Sequence, residues 1–141
     1  MMKIFGRSTN EGGYAKSDAG SGDLKQYKFD LLPANKNVTM QLAGSDPFQD
    51  ELQKWADFDE LQAFISPRTL EEERTDAPVA VRFFVDSRMT GIVGYVPRGL
   101  EAPALEALVR LGNAGRSTRI PAQITRTRNG LRVTLLMGLT R

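Results

Sequence analysis

Two residue types are missing from this 141-residue chain, cysteine and histidine. The first absence excludes disulfide staples, thiolate zinc sites and a cysteine nucleophile. The second removes the commonest general base and the commonest metal ligand, and with them the Ser–His and Cys–His routes to an activated nucleophile. Long apolar runs are absent too: no stretch reaches the ~18 residues that a membrane span needs. Lys3 and Arg7 are not followed by the apolar segment of a secretory signal. There is no Walker sequence, Rossmann glycine fingerprint or nucleophile elbow. Together these absences predict a non-enzymatic, cytoplasmic protein without cofactor, metal or membrane partner. The catalytic chemistry that survives is carboxylate- or lysine-based, with Asp46, Asp50 and Glu51 or the Glu71–Glu73 run as its acidic groups.

What is present suits one globular unit. Apolar residues make up 40% and charged residues 26%, ordinary values for a chain long enough to bury a core. The net charge is only +2, but it is unevenly spread. Between Asp46 and Asp76 ten acidic residues face three basic ones (Lys54, Arg68 and Arg74), a local balance of −7. From Ala107 to Arg141 there are seven arginines and no acid. Either the two regions neutralise each other across one fold, or the arginine-bearing end faces a polyanion.

Residues 1–37 read as a flexible or loosely attached segment. Within them residues 8–23 are rich in Gly, Ser and Asp, a composition that buries too little to offset ordering entropy. Lys3-Ile4-Phe5 has the makings of a brief strand, and Tyr27–Leu31 alternates like one, closed by Pro33. The domain proper is expected at 38–141. Val38, Met40 and Leu42 alternate on one strand face. Asp46 then reads as an N-cap, Pro47 as a first helical residue, and Phe48, Leu52 and Trp55 as one apolar stripe. Leu61–Ile65 is a second apolar stretch. Thr69–Arg74, with three successive glutamates, suits an exposed edge or hairpin limb, on which at most Glu71 and Glu73 converge.

The strongest strand is Pro78–Val85, with Val79, Val81, Phe83 and Val85 on one face, followed by a turn at 86–91 and a returning strand at 92–96. Pro103–Leu111 reads as a helix with Leu105, Leu108, Val109 and Leu111 inward, ended by Gly112. A last hairpin, 120–127 and 131–137, turns at Asn129-Gly130, a dipeptide suited to a type I′ turn. The expected class is mainly β (α+β): a small antiparallel OB-like or SH3-like barrel with two interposed helices.

Three stretches resemble one family, the HIRAN domain, particularly its bacterial members. They are Leu42–Leu52 (LAGSDPFQDEL), Val79–Val85 with Val93-Gly94-Tyr95-Val96-Pro97-Arg98, and Ile120–Ile124 with Leu131–Leu135. The likeness runs from Val38 to Met137. It implies a modified OB-like barrel that binds single-stranded nucleic acid, DNA or RNA. Where the family has Asp-Asn-Pro-Tyr-Asp-x-Asn, this chain has Arg74-Thr75-Asp76-Ala77-Pro78, so Asp76 alone supplies an acidic group for a terminal hydroxyl.

Single-strand binding needs a cationic path for phosphates and aromatic faces for bases. Tyr95 and Phe48 are the candidates for stacking, and Arg98, Arg119, Arg126, Arg128 and Arg132 those for phosphate. Each has a plainer reading. Tyr95 can close a barrel end, and Phe48 can anchor the core. Arg98 can pair with Glu101, Glu106 or the acidic segment, the hairpin arginines can serve solubility, and Asp76 can shape a turn. The alternative partner is another protein or a second copy of the chain, acidic surface against basic.

Overall fold

The computed structural model describes residues 16–29, 37–58 and 61–140. Seven strands form one antiparallel sheet in the order β1-β2-β7-β6-β3-β4-β5. They are β1 (Ser21–Gly22), β2 (Met40–Gln41), β3 (Leu61–Ile65), β4 (Ala80–Val85), β5 (Arg88–Tyr95), β6 (Ile120–Thr127) and β7 (Gly130–Leu135). Four helices are interposed: α1 (Leu24–Phe29), α2 (Gln49–Trp55), α3 (Leu70–Arg74) and α4 (Glu101–Asn113). Ala43, just beyond β2, makes one antiparallel bridge to Tyr95 at the end of β5, both N–H···O bonds being 2.7 Å. A single bridge joins the sheet's ends there without a continuous ladder. No helix among the described residues is long and apolar enough to cross a membrane.

Strand alternation builds the core. Val79, Val81 and Phe83 are fully buried with Ala63, Ile65, Val93, Ile120, Val133 and Leu135, as are Met40 and Leu42. Period-two alternation sends the intervening residues to the outer face. Ala80, Arg82 and Phe84 therefore share that face with Phe64 of β3 and Ile92 of β5, and none of these is fully buried. The β4–β5 turn is shorter than the sequence suggests: Asp86 and Ser87 alone form it, at φ 51° and 64°. This double positive φ matches the right-handed twist of a tight hairpin. The closing hairpin departs from the type I′ expectation. Thr127 pairs with Gly130 across Arg128-Asn129, and of these only Gly130 takes positive φ (108°).

Local interactions override several other expectations. Tyr27 lies in a helix, not a strand: Asp23 accepts the Lys25 N–H, and its carbonyl those of Gln26 and Tyr27. Thr69–Arg74 is the start and body of α3 rather than a hairpin limb. Thr69 and Glu72 form a reciprocal capping box, the spacing for which is present in Thr69-x-x-Glu72. On α4 the buried residues are Pro103, Ala104, Ala107 and Leu111, whereas Val109 is 61% exposed. That helix ends at Gly115 (φ 72°), not Gly112. Gly115 N–H bonds to Gly112 O at 3.0 Å and Arg116 N–H to Leu111 O at 2.8 Å, a Schellman closure.

The ordered unit also begins earlier than residue 38. Residues 16–18 form a 3-10 turn and β1 pairs with β2. Asp18, 3% exposed, accepts the backbone N–H of Ser45 (2.8 Å) and of Asp46 (3.0 Å). It thus caps the 3-10 turn Asp46–Phe48 from a distant part of the chain. Asp46 is therefore not the N-cap; that position is Ser45, whose hydroxyl donates to Val93 O. The Lys3–Phe5 strand lies outside the described residues.

Arg132 completes this junction. Its side chain is 1% exposed, with Nη2 2.7 Å from Asp46 Oδ1 and Nε 3.5 Å from Asp18 Oδ1. Nη1 also donates to Leu131 O. A buried guanidinium is tolerated only with such compensation, and removing one partner of a buried pair typically costs about 3–5 kcal/mol. Arg132→Met should therefore lower stability by about 3 kcal/mol in urea denaturation, and Asp46→Ala, at a half-exposed carboxylate, by about 1 kcal/mol.

A second buried polar group makes stability fall in alkali. Tyr27 Oη donates to Thr39 O, and burial raises its phenol from 10.0 to about 12, the Asp23 charge adding to the effect. Between pH 10 and 12 the unfolded chain releases a proton that the folded chain keeps, so stability drops across that window. Urea midpoints measured from pH 9 to 12 should fall less steeply in Tyr27→Phe than in the parent chain.

Candidate functional site

At the β5–α4 corner, Gly99 (φ 92°) turns the chain from strand into helix and leaves Tyr95 and Arg98 beside the α3–β4 connection. The Tyr95 backbone is pinned by its two bonds to Ala43. Its half-buried ring lies 6.1 Å from the Phe48 ring at 53°. That separation is within the range of favourable tilted aromatic pairs. The two proposed stacking residues are thus brought together: they pack a junction, and each is half-buried.

Arg98 is engaged by carboxylates of its own chain. Its Nη2 donates to Asp76 O at 2.7 Å, and Nη1 lies 3.5 Å from both Asp76 Oδ1 and Glu101 Oε2. Asp76 is a turn residue with φ 55°, and its exposed carboxylate also receives Arg68 Nη1 at 3.3 Å. One carboxylate therefore lies between two guanidinium groups. Arg68 also donates to Ala77 O at 3.2 Å, while its buried Nε has no hydrogen-bond partner.

Beside this network a hollow of about 310 Å³ opens on the outer sheet face. Tyr95 and Ala80, cross-strand partners, form part of its lining with Ile92, Arg82, Arg68 and Glu72. Glu72 is partly occupied by the Thr69 N–H at 2.9 Å. Arg82 has no carboxylate partner among the described residues. The hollow is thus lined by an aromatic residue, a carboxylate (Glu72) and a guanidinium, Arg82, that has no carboxylate partner among the described residues.

The hairpin arginines do not share this hollow. Arg126 lines a separate one with Gln49, Asp50 and Gln53, and Arg128 is exposed in the turn. Arg132, proposed for phosphate, is buried by its carboxylate partners and takes no part in the surface. Arg119 stands elsewhere on the outer face, its Cζ 4.2 Å from the Phe84 ring centroid. Arg82, Arg68, Phe64 and Phe84 are the residues that the sequence reading passed over. The alternation that buries Val81 and Phe83 already assigns Arg82 and Phe84 to the opposite face. The Arg119–Phe84 contact joins distant segments and leaves no local signal.

Comparison with protein-family models, with curated proteins and with solved structures finds no match to the chain. The site therefore rests on its own geometry. Asp76→Asn would remove the charge between Arg68 and Arg98 while keeping a residue that accepts positive φ. Because that carboxylate is 80% exposed, stability in urea should change by less than about 1 kcal/mol.

Proposed function

We propose that the chain is a non-enzymatic module that holds single-stranded nucleic acid against the outer face of its sheet, at the Tyr95 corner. The observation that carries this reading is the hollow lined by Tyr95 together with Arg82, a guanidinium without a carboxylate partner among the described residues, and Arg68, whose buried Nε has no hydrogen-bond partner. A base stacked on the ring gains roughly 1–3 kcal/mol, and the guanidinium groups supply charge-assisted bonds to phosphate. Phe48 packs against the ring at 6.1 Å. Asp76, 80% exposed and bonded to Arg68 of the same hollow, is the acidic group that would meet a terminal hydroxyl. The sheet is not closed into a barrel, its ends meeting only at the Ala43–Tyr95 bridge, so the HIRAN-like barrel stays part of this proposal.

The test is titration of an oligothymidylate at several salt concentrations. The expected affinity falls as salt rises, and Arg82→Ala reduces the slope of log affinity against log salt by about 0.7, the value of one single-strand phosphate contact. Tyr95→Ala weakens binding roughly 5- to 100-fold with the slope retained. Arg126→Ala/Arg128→Ala leaves the Tyr95-dependent component in place. Binding that is absent, or indifferent to salt, contradicts the reading.

A further inference from the structure

A second hollow, of about 380 Å³, lies on the same outer face beyond Phe64. Its walls are Phe64, Phe84 and Met89 on one side and Arg116, Ser117 and Arg119 of the α4–β6 loop on the other. Cross-strand pairing orders the face between the two hollows. Tyr95 pairs with Ala80, then Ile92 with Arg82 and Arg82 with Phe64, then Met89 with Phe84. Rows two residues apart on a strand are about 6.6 Å apart, so the hollows are neighbours on one surface.

This second hollow differs from the others in charge. The corner hollow includes Glu72, the hairpin hollow Asp50, and the one beside the β4–β5 turn Glu51 and Asp86. The Phe84 hollow has two arginines and no carboxylate in its lining. Arg119 makes no ion pair among the described residues. It is held instead by the Phe84 ring and by donation from Nη2 to Ser117 Oγ at 2.9 Å. A guanidinium stacked on a ring is oriented before any ligand arrives, so less freedom is lost when it binds. The Schellman closure at Gly115 sets the start of the loop that carries it.

We infer that this hollow is a second nucleotide subsite of the same strand, its base against Phe64 and Met89 and its phosphate on Arg119. The inference rests on the single-strand reading of the corner. Arg82, in the row between them, faces the stretch of backbone that runs from one occupant to the other. A dinucleotide fills the corner alone, and a strand of four or more nucleotides reaches both.

Calorimetric titration with oligothymidylates of two, four and eight nucleotides tests this in the full chain. Affinity should rise between two and four nucleotides and then level off. Arg119→Gln, which keeps a long polar side chain, and Phe84→Leu, which keeps apolar volume, should each weaken binding of the longer strands roughly 5- to 100-fold. Neither should alter dinucleotide binding, whereas Tyr95→Ala should weaken every length. Thermal melts near that of the parent chain confirm that both variants fold.

If the longer strands bind through Tyr95 but ignore both substitutions, the second subsite is wrong and the corner stands. If no strand binds at all, both are wrong. Tighter binding of a phosphotyrosine peptide than of any strand, lost in Arg119→Gln, would also overturn the subsite in favour of a protein partner.

Discussion

A guanidinium removed from water must be compensated where it lies, and Arg132 draws three distant parts of the chain together for that purpose. Asp18 and Asp46, 28 residues apart in the chain, converge on it. Asp18 also accepts the N–H groups of Ser45 and Asp46, so the charge pair and the start of the 3-10 turn are one construction. That turn delivers Phe48 to the Tyr95 ring, while Gln49 bonds both the N–H and the carbonyl of Leu131. The corner ring is thereby tied to the buried Arg132 guanidinium and its two carboxylate partners.

The same accounting sorts the other arginines. A charge near compensating carboxylates serves the fold, and one without them is available to an anion. Arg132 is buried and paired, Arg98 is shared between Asp76 and Glu101, and Arg68 is held by Asp76 and Ala77. Arg82 and Arg119 stand apart from carboxylates among the described residues, and both lie on the outer face beside aromatic rings. The total charge of the chain therefore says little about its ligand. The positions of Arg82 and Arg119, unpaired among the described residues, bear on the proposed ligand more directly.

The legible parts of this structure are those governed by local rules. Alternation identified the β4 core residues, strand pattern placed both hairpins though not their turn residues, and Gly-Tyr-Val-Pro-Arg marked the corner where Tyr95 and Arg98 now stand with Asp76. Misreadings arose where a competing local device or a remote partner decided the outcome. The capping box of Thr69 and Glu72 turned a supposed hairpin limb into a helix. Asp18 took the capping role expected of Asp46, across 27 and 28 residues of chain. Arg132 reads as surface charge because a hairpin tip is usually wet, and only the folded arrangement shows the carboxylates that cover it. The Phe84–Arg119 contact is likewise a product of sheet order, β6 lying next to β3 and β3 next to β4.

In the proposed function the strand lies on the outer face of β3, β4 and β5. An NMR titration of the isotopically labelled chain with an oligothymidylate locates the contact directly. The account predicts shifts concentrated at Phe64, Arg82, Phe84, Ile92, Tyr95 and Arg119, with the Arg128-Asn129 turn nearly still. Shifts confined to that turn and to Arg126, with the sheet face unmoved, would contradict it.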